Sequence, residues 1–155
     1  MYPASLVAYY FVKRGIDERM PLTQMKLQKL VYFAQGVHLI IHKNPLISEQ
    51  FQAWKYGPVI PAIYNTYKFY GSEPIDDTEW AISMDEGSDL SILDNDARET
   101  LEYTWDNLKD TNAIKLSNWT HNPDSPWAKS YVPGINDVTI PNEKISAYFE
   151  RFLVK

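Results

Sequence analysis

The sequence predicts a mainly α fold: a compact single domain, residues 1–155, of five to seven helices around a central buried helix, with one short β-hairpin-like element. Three observations predict it. The run from Lys26 to His42 is apolar on nearly every side, which places a helix in the middle of a fold. Further segments combine capping residues with apolar spacing of three to four. No repeat, low-complexity tract or linker divides the chain, and 155 residues suffice to bury roughly 70% of the unfolded surface.

Taken in order, Pro3 suits a first helical turn and Gly15 its end, with Leu6, Val7, Tyr10 and Phe11 on one stripe. Thr23 is placed to cap the next helix, which runs to about His42. Its stripe is Leu27, Leu30, Val31, Ala34 and Ile41, while Tyr32, Phe33, Leu39 and Ile40 cover the other side; Lys43-Asn44-Pro45 ends it. A short strand over Phe51–Tyr56 puts Trp54 and Tyr56 on one face, and Gly57-Pro58 is expected to stop it. Val59 to Tyr70 reads as a helix with Pro61 near its start, Ile63, Tyr67 and Tyr70 on one face, and Gly71 at its end. Trp80 to Asp85 alternates at period two and is expected to pair with the first strand, a ribbon that must lean on the helices. Asp94 opens a helix carrying Ala97, Leu101, Trp105 and Leu108, and Asn112 or Thr111 caps a shorter one ending near His121. The proline-rich stretch Asn122 to Pro141 reads as an irregular connection before a final helix, Asn142 to Leu153, that buries Ile145, Tyr148, Phe149 and Phe152.

Cysteine is absent, which excludes disulfides, thiol catalysis, iron–sulfur clusters and thiolate zinc sites and fits a cytoplasmic location. The apolar run Ala4 to Val12 is too short to span a bilayer, and Lys13-Arg14 follows it, the wrong order for a secretory signal. Charge is segregated. Residues 1–70 carry eight Lys/Arg against three Asp/Glu, whereas residues 71–110 carry two against thirteen. That acidic segment is either a solvated face or a docking surface for a basic partner, with Asp85, Glu86 and Asp89 the docking candidates in an exposed turn.

Several chemistries find no support. His38 and His42 have the i, i+4 spacing of zinc-protease ligands, but Leu39 stands where the general-base Glu belongs, so no metal is expected. Ser117 and His121 are also i, i+4, without a nucleophile elbow around them, so no residue is assigned as catalytic. The six glycines are scattered and cradle no phosphate, and no cofactor is expected. Lys26 and Lys29 flank an aromatic-rich helix, yet a pI near 5.1 opposes direct nucleic-acid binding.

Three ordered stretches remain: Lys26-Leu27-Gln28-Lys29-Leu30-Val31-Tyr32-Phe33-Ala34-Gln35-Gly36, then Phe51-Gln52-Ala53-Trp54-Lys55-Tyr56-Gly57-Pro58-Val59, then Leu116-Ser117-Asn118-Trp119-Thr120-His121 followed by Pro126-Trp127. Together they resemble the Panacea domain, the family of SocA-like antitoxins and GepA-like phage-associated proteins of bacteria and their phages. The resemblance implies an antitoxin that neutralises a cognate toxin protein by direct contact, or delivers it to a protease complex. It makes Lys26, Gln28, Lys29, Trp54, Tyr56, Gly57, Pro58, Thr120, His121 and Trp127 the candidate motif or partner-binding residues. Several have a structural reading too: Trp54 and Tyr56 as wedges against the central helix, Gly57-Pro58 as the exit angle into the next helix, Thr120-His121 as a helix-end cap, Trp127 as a pin on the Pro-rich connection. Two other functions stay open, an enzyme centred on His121 with Ser117 and Tyr56, and a phage-encoded interaction protein with a host target.

Overall fold

Helix α2, Gln24–His42, is the axis on which the other elements pack. The Thr23 hydroxyl accepts the Lys26 amide at 3.3 Å to begin it, and Lys43, at φ +61°, turns the chain out at its end. Thirteen of its nineteen residues are buried, so it needs apolar cover on several sides. That cover comes from α1 (Ala4–Asp17), α3 (Pro61–Tyr67), α4 (Asn95–Leu108), α5 (Ala113–Thr120) and α7 (Asn142–Leu153). This computed structural model describes residues 1–77 and 89–153. Among them no helix is long and apolar enough to cross a membrane.

The core is aromatic. Tyr32 meets Phe51 edge-on at 5.1 Å and Phe149 at 5.6 Å, and Trp105 is fully buried beside Phe11. The expected caps form: Asp94 accepts the Ala97 amide and Asn112 the Lys115 amide, each at 2.8 Å. The fold is mainly α, as the sequence predicts.

A three-stranded antiparallel sheet in the order β2–β1–β3 covers one side of α2. Strand β1 is Phe51–Trp54, β2 is Gly57–Val59 and β3 is Thr139–Ile140. Gly57 and Pro58 therefore do not stop the strand; they begin its return arm, with Trp54 opposite Gly57 and Ala53 opposite Pro58. Ala53 sends its amide the other way, to the Val138 carbonyl at 2.8 Å, so the missing N–H of Pro58 on the edge strand leaves no gap. The expected pairing of Trp80–Asp85 lies outside the described residues.

Other expectations need correction. Gly15 lies inside α1, where a Cβ would come within 2.8 Å of the Met20 carbonyl, and the helix runs on to Asp17. Ile41 and Phe152, both placed in the core by periodicity, are about half exposed, at 50% and 45%. Each sits near the end of its helix, where cover is partial: Phe152 keeps ring contacts with Trp119 and Tyr148 on one side only. The connection from Asn122 to Pro141 is partly regular. It holds α6 (Pro126–Ser130), started by the Ser125 hydroxyl on the Ala128 amide, and strand β3.

Candidate functional site

Three buried polar residues of α2 hold the rest of the fold by its backbone. Gln28 accepts the Ile60 amide at 3.0 Å and donates to the Ile60 carbonyl at 3.3 Å, fixing the exit from β2. Gln35 accepts the amides of Leu46 and Ile47 at 2.9 and 3.1 Å and donates to the Asn142 side chain. Lys29, only 2% exposed, donates to the Tyr56 carbonyl at 3.0 Å in the β1–β2 turn. Among the described residues it has no ion pair, and burial holds its pKa down to about 8. Lys26 spans to α4, where its ammonium donates to the Lys109 carbonyl.

The turn itself requires glycine. Gly57 has φ +126°, and a Cβ there would lie 2.7 Å from Lys29 Nζ and 3.4 Å from His121 Cε1. The motif residues far apart in sequence thus converge on one turn. The His121 imidazole packs on Trp127 with centroids 4.1 Å apart, and Trp127 donates its indole N–H to the Trp54 carbonyl at 2.6 Å. Trp127 also stacks on Tyr131. Thr120 is buried and returns its hydroxyl to the Ser117 carbonyl at 2.8 Å.

His121 Nδ1 lies 2.6 Å from that same Ser117 carbonyl, an acceptor only, so Nδ1 carries the proton and donates. The interaction of Ser117 with His121 runs through its backbone oxygen, which is not a nucleophile–base arrangement. The His38–His42 pair is packed against α4. His38 Nδ1 is 2.7 Å from the Thr100 hydroxyl, and His42 Nδ1 is 3.5 Å from Asp96. Among the described residues no group of three or more potential ligands is positioned for a metal ion.

Beside the turn lies a cavity of about 490 Å³, within the usual size of ligand sites. Gln28, Lys29, Trp54 and Tyr56 of the motifs form part of its wall. Met25, at the start of α2, and Tyr64, on α3, complete the rim, and Ala113 closes the α5 side. The Trp54 ring rests on Tyr64 with centroids 5.0 Å apart, while Tyr56 is 69% exposed with the Lys55 ammonium over its ring. Trp54 and Tyr56 therefore do different things. The first is half-buried and structural; the second projects into solvent.

Sequence reasoning missed Met25 and Tyr64. The available signal was that each falls off the apolar stripe of its own helix, an exposed large side chain on a polar face. Of the acidic candidates, Asp89 does not line this cavity. Asp89 is exposed and accepts the Ser91 amide and hydroxyl within its own turn; Asp85 and Glu86 lie outside the described residues.

The family described as "Antitoxin SocA-like, Panacea domain" matches residues 27–128. The chain belongs to this family. The match begins two residues after Met25 and takes in the Lys29, Tyr56, Gly57, His121 and Trp127 cluster. This Panacea domain is also 32% identical over 129 residues to the protein named Antitoxin SocA of Caulobacter vibrioides (strain NA1000 / CB15N). That similarity covers 80% of the chain and 68% of the relative. No solved structure matches this chain significantly.

Proposed function

We propose that this Panacea domain is an antitoxin-type binding module that neutralises a cognate toxin in the cytoplasm by direct contact at the Trp54–Tyr56–Tyr64 groove. The carrying observation is the convergence of the family motifs on a turn whose far side opens into a 490 Å³ cavity rimmed by exposed Met25, Tyr56 and Tyr64. Large exposed apolar side chains around a concavity are what protein partners bury as anchors. Both the family and the relative's name support an antitoxin role. Delivery of the bound toxin to a protease is compatible with the same groove, since it too begins with capture.

Buried motif residues have a scaffold role in this reading. Gln28, Lys29, Gly57, His121 and Trp127 hold the turn so that Tyr56 projects, and the acidic segment adds rate by steering a basic partner surface. Association should accordingly slow as salt rises, with dissociation little changed. The test of the reading is co-expression with the product of the adjoining gene. Growth rescue together with a stoichiometric complex, both lost in Tyr56→Asp and Met25→Asp at unchanged melting temperature, supports it. Rescue indifferent to both substitutions contradicts it.

A further inference from the structure

Lys29 is unusual for a helix residue of its burial: a cation 2% exposed, with one acceptor, the Tyr56 carbonyl, and no carboxylate partner among the described residues. An ammonium has three N–H donors, so two remain for another acceptor. A buried charge without a counter-ion is costly to the fold, and a group that supplies the counter-charge on binding relieves that cost. The desolvation already incurred by Lys29 shows in its depressed pKa, about 8.

The wall around it fixes what else a ligand must carry. Met25, Tyr56, Val59 and Tyr64 are apolar or aromatic, and Gln24 Oε1 is a buried acceptor with no hydrogen-bond partner among the described residues. An acceptor of that kind calls for an N–H, as a polypeptide backbone provides. The chain's net charge of −5 and its acidic segment tell against a polyacidic tract as ligand. One carboxylate inside an otherwise apolar stretch of polypeptide matches Lys29, the Gln24 acceptor and the apolar side chains of the wall.

We propose that the groove takes a segment of a partner protein in which a single carboxylate side chain, flanked by apolar residues, seats on the Lys29 ammonium. This rests on the groove being the docking site and adds the chemistry it selects. Lys29 is then both clamp and reader: it holds the turn that presents Tyr56 and selects the acid beside the apolar anchors. Its burial costs the free domain stability that the complex recovers, a common trade at binding sites.

The experiment titrates the wild-type chain with acetyl-Leu-Glu-Phe-Leu-amide and with its Gln counterpart, following the Trp54 indole and Gly57 amide by NMR. The Glu peptide is expected to shift both signals saturably and to bind about tenfold or more tightly than the Gln peptide. Lys29→Met is expected to abolish the preference in a chain that still unfolds in one cooperative transition. Met25→Glu, which plants a competing acid in the rim, should weaken the Glu peptide selectively. Equal affinities, no shift at millimolar peptide, or a preference that survives in Lys29→Met would overturn the proposal. A domain that captures its toxin through Tyr56 yet ignores the Glu/Gln exchange keeps the docking site and loses this chemistry. One that prefers the Glu peptide but captures no toxin does the reverse.

Discussion

The ring of Phe149 lies across Gly36 so closely that a Cβ on that glycine would sit 2.5 Å from three ring atoms. Gly36 is the point where α7 reaches the central helix, and it joins the Tyr32–Phe51 cluster to the C-terminal part of the fold. Gly36→Ala should therefore destabilise by overpacking, by about 1–3 kcal/mol, even though alanine is the better helix former. A urea midpoint equal to or above that of the wild type would show that α7 yields without cost.

Gln35 should prove as costly to lose. Its amide takes two backbone N–H groups, Leu46 and Ile47, at buried positions. Gln35→Ala strands both, at about 1–3 kcal/mol per donor. Chemical denaturation measures the total, and hydrogen exchange should accelerate first at Leu46 and Ile47. A loss confined to the start of α7, at Asn142, would place the effect in the third hydrogen bond instead.

Acid should weaken the fold through His38. Burial and the neighbouring His42 lower its pKa below the ordinary 6.5, with the Thr100 hydroxyl 2.7 Å from Nδ1. The unfolded chain then binds the proton more tightly, so stability is complete above about 6.5 and falls as pH drops through that value. Glu18 and Asp94, whose pKa values are lowered, act in a separate and more acidic window. Denaturation at pH 7.5 and 5.5 should give a lower midpoint at 5.5, with the difference reduced in His38→Gln. A midpoint that rises toward pH 5.5 contradicts this.

The position of His121 makes its substitution a test of function class. Its ring is held by the Ser117 carbonyl and covers Trp127, which fixes β1 through the Trp54 carbonyl. His121→Gln should reduce toxin rescue only in proportion to lost soluble yield and melting temperature. A fully folded variant that still binds toxin without rescuing growth would point to catalysis.

Much of this was legible where one residue decides one local event. Thr23, Asp94 and Asn112 each cap a helix because a short polar side chain can reach the third amide, a purely local geometry. Gly57-Pro58 misled because proline reads as a breaker, whereas a proline on an edge strand, opposite Ala53, sacrifices no ladder bond. Helix α6 and strand β3, five and two residues long, are too short to carry a period. The motif side of the groove was visible as Trp54 and Tyr56; the Met25 and Tyr64 side was not, because it exists only where α2 and α3 come together. In the sequence Lys29 is a charge flanking an aromatic-rich helix, and only tertiary packing turns it into a buried one.

The central claim, that this Panacea domain captures a protein through the groove beside the Tyr56 turn, is tested most directly by calorimetry against the product of the adjoining gene. The wild type should bind at one-to-one stoichiometry. Tyr56→Asp, whose side chain is exposed and whose backbone alone holds Lys29, should melt as the wild type does and bind at least about tenfold more weakly. A folded Tyr56→Asp domain with wild-type affinity would contradict the claim and move the interface elsewhere on the fold.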